Sequence, residues 1–325
     1  LDGSQAHQTP GTAALHVLSI ATAVARSLGP NPAAYPGGAL LAQYARRFIA
    51  TVLTLIAVSV ALASPAIAIP KLLVDAVSGE VLHAEDAGVP WHPASLTKMM
   101  TAYVAFSAIK AGRVTLDTPV KISRNAWNQA PAKSGLEIGS AVSMRDALYI
   151  MVVKSANDVA IAVAETVSGT DDKFVAEMNE MAKAMGLTAT HYVDPNGLHA
   201  GAQVTSARDL AMLALYIRRD FPEYLPMFGT EAVLLDGKSL ESNNGLLEHF
   251  AGTTGMKTGY ICSSGLNIVA TVERDGRSLI AVVLGGSSAR ERNELTAEMF
   301  LRGLSGAFSG TGKSVVTLAN IAAEP

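Results

Sequence analysis

A hydroxyl and an amine stand three residues apart in Pro93-Ala94-Ser95-Leu96-Thr97-Lys98-Met99-Met100. If the stretch is helical, Ser95 and Lys98 lie one turn apart on one face, and their side chains can meet. Serine alone is a poor nucleophile, and lysine alone is protonated at neutral pH. Inside a cleft each corrects the other: desolvation and a nearby cation lower the amine's pKa, and the neutral amine can then take the hydroxyl proton. The chemistry this implies is attack by Ser95 on an electrophilic carbonyl.

A helix must hold the pair. Pro93 suits a first turn, where its missing N–H costs nothing. Met99, Met100, Tyr103, Val104 and Phe106 then supply apolar positions at helical spacing. Ser95 is therefore expected in the first turn, at the positive end of the helix dipole, which favours a developing anion. An S-x-x-K alone is a weak signal, because Ser, Thr and Lys also populate ordinary helix starts.

Two further polar groups follow in chain order. Ser155-Ala156-Asn157 lies between an expected helix that Ser143 caps and that stops near Lys154, and a nearly charge-free helix from Asp158 to Val167. Lys257-Thr258-Gly259 lies just before two strand-like runs, Asn267–Val272 and Leu279–Leu284, joined through Asp275-Gly276, a hairpin signal. The remaining elements read as a hairpin from Lys71–Asp75 and Glu80–His83, a helix carrying Phe174, Met178, Met181 and Met185 that ends at Gly186, and a helix capped by Thr205 or Ser206 running through Ile217. A closing helix is expected over Glu294–Leu304. The methionine stripe reads as core packing.

The chain has 325 residues, 49% of them hydrophobic and 16% charged, enough apolar material for a sizeable core. Its net charge of -3 makes no electrostatic case for nucleic acid. One cysteine, Cys262, excludes an internal disulfide and reads as a small packed residue. The seven histidines are scattered without a ligand pair, so neither a metal nor another cofactor is expected. Residues 1–47 read as a disordered or over-extended start, rich in Ala, Gly and Pro. Arg46 and Arg47 precede the apolar run Phe48–Ala63, and Ala66-Ile67-Ala68 completes the pattern of a secretory signal peptide over 48–68, cleaved after Ala68. Membrane association is expected only if that segment stays in place. Residues 69–304 form the expected catalytic domain, and 305–325 a flexible, small-residue tail.

The ordered set S-x-x-K, S-x-N, K-T-G is the known signature of serine β-lactamases and penicillin-binding proteins. With Asp194-Pro195-Asn196-Gly197-Leu198, Thr205-Ser206-Ala207-Arg208-Asp209 and Asn243-Asn244-Gly245-Leu246-Leu247, the chain resembles the low-molecular-mass penicillin-binding proteins, the D-alanyl-D-alanine carboxypeptidases, from Pro70 to Leu304.

That resemblance implies an α/β fold of the β-lactamase/penicillin-binding transpeptidase type: an antiparallel sheet of about five strands covered by helices, plus an all-helical subdomain carrying Ser155, with K-T-G on an edge strand facing Ser95. It also implies the chemistry. Ser95 attacks the D-Ala–D-Ala peptide bond and Lys98 takes its proton. Ser155 relays a proton to the leaving nitrogen, with Asn157 and Lys257 holding the network. The backbone N–H groups of Ser95 and Tyr260 form an oxyanion hole. Lys257 and Thr258 meet the substrate's terminal carboxylate, Gly259 permits close backbone approach, and Arg292 stands near the carboxylate with Arg290 as its competitor. The partners implied are peptidoglycan stem peptides ending in D-Ala-D-Ala, and β-lactams as covalent inhibitors, outside the cytoplasm.

The chain departs from the family in having Tyr260 where some members have His. The roughly twenty residues after the closing helix are too few for a second domain, which needs ~50; a single-domain periplasmic form or a shortened chain is expected. A serine β-lactamase is the nearest alternative, disfavoured because no E-x-x-L-N lies between the second and third motifs. A non-catalytic cell-wall-binding protein is disfavoured because every polar member of the triple is present.

Overall fold

In the computed structural model the described residues are 69–198 and 201–321, with a few helical positions between 40 and 51. The expected disordered start and the bulk of the expected signal segment lie outside them. By contacts the chain divides into units of residues 1–67 and 68–325, and every element below belongs to the second.

Strands β1 (Lys71–Asp75) and β2 (Val81–Glu85) form the first hairpin. A short 3-10 helix, Ala94–Thr97, runs directly into α1 (Lys98–Lys110). β3 (Pro119–Lys121) and β4 (Ala141–Ser143) pair with each other, and α2 (Met144–Val153), α3 (Asn157–Ser168) and α4 (Asp171–Ala184) follow. α5 (Ala207–Asp220) precedes a small hairpin of β5 (Ala232–Leu235) and β6 (Lys238–Glu241). β7 (Thr253–Ile261), β8 (Gly265–Arg274), β9 (Arg277–Gly286) and α6 (Ala289–Leu304) complete the chain's longer elements. The large sheet has five strands in the order β2-β1-β9-β8-β7, all antiparallel.

The unbroken apolar runs of β8 and β9 have a physical reason. Side chains alternate across a strand, so a run with no polar face needs cover on both sides. Along β9, Ile280, Val282 and Leu284 enter the core shared with α1, α3 and α5, while Leu279, Ala281 and Val283 enter a second core with Met299 and Phe300 of α6. The helical side carries α3 as expected: Val159 to Ala164 are all buried. Phe174 and Met178 of α4 are core residues too.

Helix starts follow their capping hydroxyls. Ser143, Thr170 and Ser206 each accept a backbone N–H three residues on. The closing helix begins at Ala289 rather than Glu294, because Ser288 caps it by accepting from Glu291 N at 3.1 Å. The Ser-x-x-Glu spacing that marks this start is present in the sequence.

The segment after α6 corrects an expectation. Instead of fraying, 305–321 lies along the outer edge of β2 and onward. Val81 N donates to the Lys313 carbonyl, Val315 N to Gly79, and Ile321 N to Gly88. Val315 is fully buried in the main core. An exposed strand edge is a row of unpaired backbone groups, and this segment supplies the partners. Small, polar composition predicted mobility; backbone pairing decides otherwise.

The site's position rests on one buried amide. Asn267 of β8 donates through Nδ2 to the carbonyls of His92 (2.9 Å) and Pro93 (3.2 Å), and its Oδ1 accepts from Gly285 N at 2.9 Å. It ties the approach to Ser95 onto the sheet. Asn267→Ala leaves those buried groups without partners and is expected to cost about 1–3 kcal/mol. Chemical denaturation checks this as a lower midpoint at unchanged slope.

Candidate active site

The nucleophile segment begins with a backbone conformation that no composition rule indicates. Ala94 has φ of +50°, in the left-handed region. Ser95 then falls in the 3-10 turn rather than in the first turn of α1. The consequence favours the pair, since i and i+3 eclipse in a 3-10 helix. Lys98 Nζ lies 3.0 Å from Ser95 Oγ.

Lys98 is 0% exposed. Its nitrogen has two other contacts, Asn157 Oδ1 at 2.7 Å and the Asn196 carbonyl at 2.6 Å. The Asn157 amide is oriented by its other end, because Nδ2 donates to the Pro131 carbonyl. Both fixed partners of Lys98 are therefore acceptors. A neutral amine has two N–H bonds and one lone pair. In that neutral form, with both N–H bonds on these acceptors, the amine would turn its lone pair to Ser95. Burial pushes the Lys98 pKa well below that of a free lysine, and the charge of Lys257 pushes it further down, while Asp194 and Asp158 act the opposite way.

Beyond Ser95 opens a cleft of about 360 Å³. One wall is β7, contributing Thr258, Gly259 and Tyr260; the opposite wall is Pro131, Ala132 and Ser155. Asn243, Leu266, Ala289 and Arg292 also line it. Ser155 is held with φ of +62° between α2 and α3. The structure places Ser155 on the cleft but in hydrogen-bond contact with neither lysine among the described residues. Lys257 is 2% exposed, with Nζ donating to the Thr258 carbonyl at 3.0 Å. Burial first, and the Arg292 charge second, push its pKa down to about 7.

β7 is the outer strand of its sheet and runs directly against the nucleophile backbone. A methyl group on Gly259 would sit 2.9 Å from the Pro93 carbonyl oxygen and 3.0 Å from Ser95 N. The glycine of K-T-G is thus required by close backbone approach. The next side chain, Tyr260, is 59% exposed at the cleft mouth.

The two candidate arginines separate cleanly. Arg292 is buried and on the cleft, holding the Asn243 carbonyl through Nη2 at 3.3 Å; desolvation lowers its pKa to about 10. Arg290 is exposed and pairs with Glu294 one turn on. Arg208 ties α5 to its surroundings through the Gly186 and Val316 carbonyls, as expected for a structural arginine. Cys262 corrects an expectation: it is exposed, with its sulfur 3.8 Å from Tyr260 Oη, because the strand turns into the β7–β8 loop there.

Sequence reasoning did not find the main-chain carbonyls that orient Lys98 and Asn157. The carbonyls of Asn196 and Pro131 belong to segments legible only as turn and loop. Nor did it find Gln203, a fully buried amide that accepts from Val193 N (2.7 Å) and Asp194 N (2.9 Å) and donates to Thr97 Oγ1 (3.1 Å). Gln203 joins the loop bearing Asn196 to the turn bearing Ser95. The Asp-Pro-Asn-Gly turn was visible; that its carbonyl points at Lys98 was not.

The sequence profile of the D-alanyl-D-alanine carboxypeptidase family matches residues 60–288. The D-alanyl-D-alanine carboxypeptidase DacD of Escherichia coli (strain K12) is 36% identical over 230 residues, which cover 69% of this chain and 59% of that protein. The chain therefore spans less than two thirds of that relative. Among solved structures, the carboxypeptidase DacD of Francisella tularensis has a TM-score of 0.70 at 30% identity, covering 74% of this chain and 71% of that one. Penicillin-binding protein D2 of Listeria monocytogenes, in its cefotaxime bound form, has a TM-score of 0.67 at 28% identity, covering 74% and 100%.

Proposed function

The chain belongs to the D-alanyl-D-alanine carboxypeptidase family, and from that premise we propose that it is a penicillin-sensitive serine hydrolase that removes the terminal D-Ala from peptidoglycan stem peptides. The observation that carries this reading is the Lys98 amine, buried, flanked by two acceptors and 3.0 Å from Ser95 Oγ.

Lys98 Nζ takes the proton as Ser95 Oγ attacks the penultimate D-Ala carbonyl. The backbone N–H groups of Ser95 and Tyr260 receive the developing oxyanion, where one such donor is typically worth about 10²–10³ in kcat. Collapse breaks the peptide bond. Ser155, on the opposite wall, gives its hydroxyl proton to the leaving nitrogen and takes in return the proton that Lys98 removed from Ser95, which restores Lys98 to the free amine. Thr258, Lys257 and Arg292 hold the carboxylate end of the substrate. Water, deprotonated by Lys98, then releases the shortened peptide from Ser95. A β-lactam enters the same cycle at the acylation step. Peptidoglycan as substrate places the enzyme outside the cytoplasm.

The test is intact-mass spectrometry of the protein with benzylpenicillin, wild type beside Ser95→Ala, followed by assay of D-Ala release from a D-Ala-D-Ala peptide. An adduct of penicillin mass on wild type alone, with D-Ala release, is expected. Fast turnover of penicillin without a lasting adduct would favour a β-lactamase; neither adduct nor turnover would remove the enzymatic reading.

The pH profile should carry the signature of two lysines in opposite states. Lys98 works neutral, so activity falls as pH drops through its depressed pKa. Lys257 works charged, so carboxylate binding weakens as pH rises through about 7. For a carboxylate-ended peptide, kcat/KM reports the free enzyme and is expected to be bell-shaped, with its alkaline fall beginning there. A substrate whose carboxylate is esterified should lose that alkaline limb and keep the acid one. Identical profiles for the two substrates would count against Lys257 as the carboxylate's partner.

A further inference from the structure

Asp158, one residue after the Ser-Ala-Asn group, is 0% exposed in the first turn of α3. The mechanism above makes no use of it. Its carboxylate reaches back across the cleft wall. Oδ1 accepts from Ser134 N at 3.0 Å and from Val159 N at 2.9 Å; Oδ2 accepts from Ser134 Oγ at 2.7 Å and from Ser134 N at 3.1 Å. Ser134 Oγ in turn accepts from Leu136 N at 3.1 Å. Two residues upstream, the Ala132 carbonyl accepts from Asn157 N at 2.8 Å, and the Pro131 carbonyl takes Asn157 Nδ2. Asp158 and Asn157 together fasten the segment 131–136 to the start of α3.

We infer that Asp158 is a positioning residue for the Ser95–Lys98 pair: by clamping residues 131–136 to α3 it keeps the Pro131 carbonyl where it sets the orientation of the Asn157 amide, and through that amide the Lys98 amine. An asparagine side chain has near-identical shape in its two flipped forms. Among the described residues it is the Pro131 carbonyl that distinguishes them, since a neutral amine at Lys98 can donate to Oδ1 or accept from Nδ2. With the amide reversed, Nδ2 would face Lys98, which would then keep one acceptor, the Asn196 carbonyl. An N–H of the amine could turn toward Ser95, and the lone pair would be misdirected. A carboxylate suits the clamp because it alone accepts from the N–H and O–H of one serine and from its own helix turn together.

The inference rests on Lys98 acting as the base. Lys98 is faced by Lys257 from β7, Asp194 from the turn after α4 and Asp158 from α3. Removing the Asp158 charge therefore acts on the base in a second way, by withdrawing one of the two anions that favour its charged form.

The experiment measures the rate of acylation by benzylpenicillin from pH 5 to 9, with thermal unfolding, for wild type, Asp158→Ala, Asp158→Asn and Ser134→Ala. Asp158→Ala should acylate about 10²-fold more slowly on the pH plateau, the size of effect that loss of about 1 Å of alignment produces, with its acid limb moved to lower pH by loss of the charge. Asp158→Asn keeps an acceptor for Ser134 N and should recover most of that rate, with its acid limb moved to lower pH. Ser134→Ala should be slowed with the acid limb in place. A folded Asp158→Ala that acylates at the wild-type rate overturns the inference. If Asp158→Ala does not fold, a wild-type profile in both other variants overturns it equally. Wild type that fails to acylate at Ser95 overturns the proposed function and this inference together, whereas acylated wild type with unaffected variants overturns the inference alone.

Discussion

Replacing Lys98 with methionine is expected to slow acylation of Ser95 by about 10³-fold, within the 10²–10⁴ that a positioned general base supplies. Methionine matches the length and burial of the stem and removes only the basic atom. The nitrogen is the single group within hydrogen-bond distance of Ser95 Oγ among the described residues, so no neighbour stands ready to replace it. Stability should respond in two opposing ways. The Asn157 Oδ1 and Asn196 carbonyl lose a donor, at about 1–3 kcal/mol for each buried group left unsatisfied. Against this, an amine whose burial disfavours its charged form is gone. The melting temperature should therefore move far less than the rate. Time-resolved mass spectrometry of the penicillin adduct, beside thermal unfolding, separates the two. Acylation within tenfold of wild type would remove Lys98 from the role of base.

The second large effect is expected at Gly197, which is not among the residues lining the cleft. Its φ is +85°, and a Cβ there would lie 2.0 Å from the Ala94 carbonyl oxygen and 2.4 Å from its carbon. The Asn196 carbonyl on Lys98 and the backbone of Ser95 are thus packed together through this glycine. Gly197→Ala cannot be absorbed by a rotamer change, since the opposing atoms are backbone. The alanine must be strained in the left-handed region, and the two segments must part. The conformational penalty, about 1 kcal/mol, adds to about 1–3 kcal/mol for overpacking. The parting should also misalign the amine and slow acylation by about 10²-fold. Gly112 is the control: its φ is +71°, and a Cβ there would meet nothing within 4 Å. Gly112→Ala should show the conformational penalty alone and a wild-type acylation rate. Equal effects of the two substitutions would mean that the contact with Ala94 does not matter.

Much of the architecture was legible because local rules and tertiary context agree. The hairpin signal Asp275-Gly276 joins two strands whose unbroken apolar runs report cover on both faces. Ser143 and Ser206 cap the helices they precede. The boundary at Ser288 was readable from its glutamate partner. The tail after α6 was not, because its order comes from pairing with β2 and Gly88, more than two hundred residues away.

The sequence by itself determined the inventory of the site. Ser95, Lys98, Ser155, Asn157 and Lys257-Thr258-Gly259 stand at spacings that only a narrow set of chemistries uses, and residue identity carries that information directly. The tertiary structure decided what state those groups are in. Whether a lysine is a base or a surface charge depends on its burial and on the partners of its nitrogen. Here those partners are the Asn196 carbonyl and an amide turned by the Pro131 carbonyl. Arg292 and Arg290 are the same residue type two positions apart, and only the helix face they occupy separates a cleft residue from a solvent ion pair. Every residue carries a backbone carbonyl, so none is a motif. Which of them points at an amine is settled by the path of the folded chain.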